Sequence, residues 1–231
     1  MVPQIQEPYG MPFPEDPARS QVVSGAPSPY QKALHLEYFT VAYNILEAAA
    51  SIAFGTMASS IALVGFGLDS IVESLSGLIL VWRLRRHTPE SPDVEEQIER
   101  RARRFVAITF FVLGAYVLYE SLTKLITREM AGPSLAGLII AILSLIIMPL
   151  LARKKERLGV AIGSRALIAD SRETLACAFL SVALLAGLGA NYLFGFWQAD
   201  PLAGLLIVLF LFREGYEGWR ESGGGQERNS M

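Results

Sequence analysis

The sequence predicts an all-α polytopic membrane protein with six transmembrane helices, on three observations. Hydrophobic residues make up 52% of the 231-residue chain and charged residues only 18%, below the proportion of about a quarter usual in soluble domains. The mean hydropathy is +0.38. The apolar residues are gathered into six runs, each long enough to cross a hydrocarbon core of about 30 Å at about 1.5 Å per helical residue. The net charge of −2 suggests no nucleic-acid partner. Cys177 is the single cysteine, which excludes an internal disulfide and a cysteine-rich zinc framework.

The elements follow in order. Residues 1–29 hold seven of the twelve prolines, each lacking an amide donor, so 1–31 reads as a disordered Pro-rich tail. That tail has no apolar stretch of the kind a secretory signal needs. A six-helix domain is expected over 32–220, followed by a flexible tail over 221–231. Span one, about 34–54, carries a polar stripe in which Thr40, Asn44, Glu47 and Ser51 share a face. Span two, about 60–82, follows a short linker. The connection 83–104 contains seven arginines and is broken by Pro89 and Pro92. Span three covers about 105–125, with Glu120 at its interfacial end, and Gly132-Pro133 makes a turn. Span four, about 134–151, has no ionisable side chain. A basic loop is expected over Ala152–Arg165. Span five covers about 164–189, and span six, about 199–214, follows an aromatic, uncharged turn suited to the membrane interface.

An even number of spans places both termini on one side. The basic connections follow spans two and four, so the positive-inside rule makes those loops and both termini cytoplasmic. The expected setting is a multi-pass protein of the plasma or inner membrane.

Asp69 and Glu73 stand out within span two. A carboxylate at mid-membrane costs about 2.5–3.5 kcal/mol on insertion scales, so two on one helix require a reason. Their four-residue spacing puts them on one face, one turn apart. Two carboxylates so close in low dielectric need a cation or a proton between them. They lie roughly 21 and 15 Å along the helix from Arg83, which sets Glu73 near the midplane. Span five offers Asp170, Thr174 and Cys177 on one face, with Glu173 beside them, and oxygen groups on two facing helices suit a four-coordinate divalent site. Bland readings stand beside these. The span-two acids could be structural hydrogen-bonding groups, Asp170 or Glu173 could pair with Arg172, and Cys177 could be a small buried apolar residue. Asn44 and Glu47 are accessory positions, as ligands, proton carriers or supports of the ligands. Asp200, just before Pro201, reads as the cap of span six.

The Asp69–Glu73 pair, the SRALIAD start of span five and the WQADPLAGL start of span six resemble the cation diffusion facilitator, or cation efflux, superfamily over about residues 35–220. The nearest likeness is to its short branch of zinc-transporter-like membrane proteins. The resemblance implies a transporter and not an enzyme. It implies export of a divalent metal, Zn²⁺ foremost, from the cytoplasm in exchange for protons, by a homodimer embedded in lipid. No prosthetic group is expected, the metal being cargo. The family's paired ligands on the second and fifth helices fall on Asp69 and Glu73, and on Asp170 and Thr174. Two departures are visible: no histidine is available at the site, and Thr174 is neutral where a carboxylate is expected. An all-oxygen set would also suit Mn²⁺ or Fe²⁺. The residues beyond span six are too few for the family's cytoplasmic ferredoxin-like domain, so the dimer is expected to form through the membrane helices. A non-transporting scaffold or metal sensor of the same fold, and an exporter of small organic cations, are the alternatives.

Overall fold

In a computed structural model, residues 28–85 and 92–223 are described; residues 1–27 of the expected 1–31 tail, the middle of the arginine-rich connection and the end of the C-terminal tail lie outside them, while residues 29–31, expected in the tail, open the first helix. The described residues form six helices and no strand: α1 (Pro29–Met57), α2 (Ile61–Arg85), α3 (Pro92–Thr127), α4 (Leu135–Ile162), α5 (Arg165–Phe194) and α6 (Ala199–Gly223). This is the all-α polytopic architecture that composition predicts. By length and composition, Ile61–Arg85, Arg104–Thr127, Leu135–Ile162 and Ala166–Phe194 are apolar enough to cross a membrane. α1 and α6 fall outside that criterion. Each carries polar side chains that the fold turns inward, such as Asn44 and Glu47 on α1 and Asp200 on α6.

The helix starts follow from local chemistry. Pro29 opens α1, where its missing N–H is not needed. The Ser28 hydroxyl accepts from the Gln31 N–H at 3.2 Å, while the Gln31 side chain accepts from the Ser28 N–H at 3.0 Å, forming a capping box. Ser134 and Ser164 cap α4 and α5 in the same N-terminal role. Gly163 and Gly195 end those helices in the left-handed conformation, with φ of 66° and 62°, which glycine adopts without a Cβ penalty.

The connection between α4 and α5 differs from the expected basic loop. Only Gly163 and Ser164 separate the two helices. The run ARKKERL continues α4 for two turns, because Ala, Arg, Lys, Glu and Leu are all strong helix formers and no Gly or Pro interrupts them. The consequence is that Lys155 belongs to a helix face, and that face is buried.

α1, α2, α4 and α5 pack as a four-helix bundle, and α3 pairs with α6 against α2 and α5. The core runs through Leu63, Phe66 and Val72 on α2, Leu184 and Leu188 on α5, and Ile207 and Leu211 on α6. The outer surface is apolar as well: Leu46, Phe105, Ile126, Ile146, Phe179 and Leu209 are all exposed. A surface of that kind is unfavourable in water and natural in lipid.

Candidate cation site

α1 and α2 approach closely where the acids lie. A Cβ on Gly67 would come within 2.9 Å of the Ser51 Cβ and of Ile52, and one on Gly77 within 2.7 Å of Val41. Small residues at these two crossings let the helix backbones nearly touch, as is common between membrane helices. The polar faces are thereby enclosed.

Asp69 and Glu73 on α2 are both buried. Neither carboxylate oxygen of Glu73 has a hydrogen-bond partner among the described residues. Its polar neighbours are Thr174 of α5 and Asn44 of α1. Both amide atoms of Asn44 are also buried and unbonded. Cys177, buried on α5, faces Asp69, Glu73 and Glu47. Glu47 is held by Ser70, whose hydroxyl donates to it at 2.9 Å. The fold therefore gathers Asp69, Glu73, Thr174, Cys177, Asn44 and Glu47 around one buried locus. Unsatisfied buried oxygens are costly and call for a partner. Among the described residues, no three His, Cys, Asp or Glu side chains already stand close enough together to enclose a metal ion.

Asp170 is placed differently. It and Thr174 turn toward Lys155 of α4, a residue that sequence reasoning left in a loop. Lys155 is fully buried. Its ammonium forms an ion pair and hydrogen bond with Asp170, donates to the Thr174 hydroxyl at 3.1 Å and pairs with Glu37 of α1 at 3.3 Å. Glu37, also fully buried, was missed as well. Both residues had a legible signal. Glu37 extends the Thr40–Asn44–Ser51 face by one turn, and Lys155 continues the buried series Ser144, Met148, Ala152.

Glu173 takes no part in the Lys155 ion pairs and accepts from the Ser76 hydroxyl at 3.0 Å. Both residues line a cavity of about 550 Å³ between α2, α3, α5 and α6, together with Phe110, Ala176, Phe210 and Arg213. The cavity lies at the arginine-bearing end of α2 and reaches Asp170; Asp69 and Glu73 lie beyond its lining.

At the opposite end the helices are tied shut. Asp200, expected to cap its own helix, instead accepts from the Ser60 hydroxyl and, at 2.9 Å, from the Ile61 N–H. It thus caps the start of α2 from across the bundle. Pro201 leaves α6 one donor fewer to satisfy, which frees the carboxylate for this work. Lys124 of α3 donates to the Ser59 carbonyl, the Gly132 N–H donates to the Ala58 carbonyl at 2.7 Å, and the Asn191 side chain donates to the Ala131 carbonyl at 2.9 Å.

Residues 38–224 match the family model described as the cation efflux transmembrane domain. The chain belongs to the cation efflux family. Among its curated relatives, this cation efflux protein is 27% identical over 188 residues to transmembrane protein 163 of Xenopus laevis, covering 80% of this chain and 65% of the relative. It is 26% identical over 178 residues to an uncharacterized transporter of Methanocaldococcus jannaschii, covering 75% and 62%. It is 26% identical over 167 residues to the magnetosome protein MamB of a Magnetospira strain, covering 71% and 57%. The chain thus matches between 57% and 65% of the length of these relatives.

Proposed function

We propose that this cation efflux protein exports a divalent metal cation from the cytoplasm in exchange for protons, with Asp69 and Glu73 as the principal ligands. The observation that carries the reading is the α2 pair itself. Two buried carboxyls stand one turn apart, and the Glu73 oxygens lack any hydrogen-bond partner. Cys177 faces the pair, and a thiolate together with carboxylates moves the donor set from purely hard oxygen toward Zn²⁺.

The mechanism follows from competition. Carboxyl and thiol groups must lose their protons to coordinate, so binding the metal from one side releases protons, and protonation on the other side releases the metal. The same groups serve both cations, so coupling needs no separate proton path. The cavity at the arginine-bearing end supplies the approach, and by the positive-inside rule that end is cytoplasmic. The bonds around Asp200 close the far end and must break for release. In this reading both termini are cytoplasmic, the membrane is the plasma or inner membrane, and a homodimer forms through the membrane helices.

The test is uptake of Zn²⁺, Mn²⁺ and Fe²⁺ by proteoliposomes with and without an imposed pH gradient. Gradient-dependent flux is expected, with Asp69→Ala and Glu73→Ala each reducing it to background. Transport that survives both substitutions removes the site assignment, and metal binding without flux favours a sensor or scaffold. The cavity supports one second reading, a small organic cation. Its volume is that of a small-molecule site, and Glu173 stands there among Phe110, Phe179 and Phe210. Flux of an aromatic ammonium compound, unaffected by excess Zn²⁺, would favour it.

A further inference from the structure

We infer that Lys155 is a positioning residue that keeps Asp170 and Thr174 away from the cargo and thereby confines the metal to the α2 side of the site. The inference deepens the reading above and rests on it.

The geometry is one of competition for ligands. The Lys155 ammonium takes the Asp170 carboxylate, the Thr174 hydroxyl and one oxygen of Glu37, drawing α4, α5 and α1 onto a single buried charge. The ammonium donates to Asp170 and Thr174 and stands 3.3 Å from Glu37 as an ion pair, so its charge is shared among three oxygen-bearing partners. Oδ1 of Asp170 and both carboxylate oxygens of Glu37 remain without a hydrogen bond. Thr174 borders both groups, donating space to neither exclusively: it contacts Lys155 on one side and neighbours Glu73 on the other. Lys155 is also the foremost positive charge acting on Glu73.

A tethered monovalent cation therefore stands beside the place a mobile divalent cation would occupy. It satisfies acids that would otherwise add to the cargo's ligand set. A site with fewer carboxylates binds a divalent ion less tightly and lets it go more readily, which an exporter requires. Loss of Lys155 frees Asp170 to turn toward the cargo. Loss of Asp170 alone frees the ammonium to move toward Glu73 and compete with the metal there.

The two substitutions should therefore oppose each other. Zn²⁺ binding to the purified full-length protein is measured by calorimetry, and Zn²⁺ flux in proteoliposomes gives KM and kcat. Asp170→Asn is expected to weaken Zn²⁺ binding about tenfold, the scale on which groups surrounding a ligand act on metal affinity. Lys155→Met is expected to tighten binding about as much while kcat falls, since release slows. The double variant Lys155→Met/Asp170→Asn is expected to return close to the wild-type affinity. It removes one charge of each sign, so it remains informative even where Lys155→Met alone does not fold. A double variant as weak as Asp170→Asn, or weaker, overturns the inference, because Asp170 is then an ordinary ligand and Lys155 only a structural partner. Asp69→Asn separates the two levels. Zn²⁺ binding that Asp69→Asn abolishes, with a double variant that shows no recovery, leaves the transport site standing and removes the role of Lys155. Zn²⁺ binding that is absent from the wild type, or indifferent to Asp69→Asn, removes both.

Discussion

At the end where α1 turns into α2, a buried hydrogen bond joins the start of α2 to α6, and further bonds join the end of α3 and the turn after it to the α1–α2 turn. At the other end, α2 and α5 part from α3 and α6 around a cavity of about 550 Å³. The acids lie between, enclosed by the close α1–α2 contact. The contrast teaches how the molecule restricts access. Closure centres on the Asp200 bonds, which are buried and so strong because their donors have no water to turn to. The open end lies where the α3–α6 pair meets α2 and α5 around a cavity lined by apolar side chains and by seven charged ones. A bundle with one end tied and the other parted is the arrangement that one-sided access to a central site needs.

The largest blow to this contrast should come from Asp200→Ala. It leaves the Ser60 hydroxyl and the Ile61 N–H buried without their acceptor, at about 1–3 kcal/mol for each orphaned donor. A lowered melting temperature in detergent is expected, together with new reactivity of a buried cysteine introduced as Ala62→Cys. Unchanged stability and an inert Ala62→Cys would show that Asp200 does not hold that end closed. An intermediate effect is expected at the cavity. Ser76→Cys should label with an impermeant maleimide added on the arginine-rich side, while Ala62→Cys in the otherwise native protein stays unlabelled. Adding Ala176→Trp should fill the space and remove most of the Ser76→Cys labelling, with the buried Cys177 supplying the background. Equal labelling at the two positions would erase the difference between the ends. The smallest effect belongs to the surface. Arg213 and Glu217 form an exposed pair one turn apart on α6, at 2.9 Å, and solvent screens such pairs. Glu217→Gln should leave the melting temperature within error, and a clear drop would mean that the cavity rim contributes to folding.

How much could be read beforehand varies by element. The α2 acids were legible because their cost in lipid and their shared face are both properties of a short stretch of chain. The inward face of α1 was legible for the same reason, although its first member, Glu37, lies so near the helix start that it resembles a solvated end. Span four was followed only to 151, because the charges of ARKKERL resemble a loop in water. In the fold, Arg153, Lys154 and Arg157 are indeed exposed while Lys155 alone is buried. One turn of helix separates those fates.

By itself, the sequence determined the six helices, the apolar exterior, the carboxylate pair of α2 and the polar faces of α1 and α5, since hydropathy and 3.6-residue periodicity are local. Tertiary structure alone decided which faces meet. Periodicity gives the direction in which Asp170 projects along α5, but not that Lys155 waits there on α4. It places Asp200 at the start of α6, but not beside the unpaired donors that open α2. Both choices depend on ionic and hydrogen bonds between residues far apart in the chain, and such bonds exist only once the helices have packed.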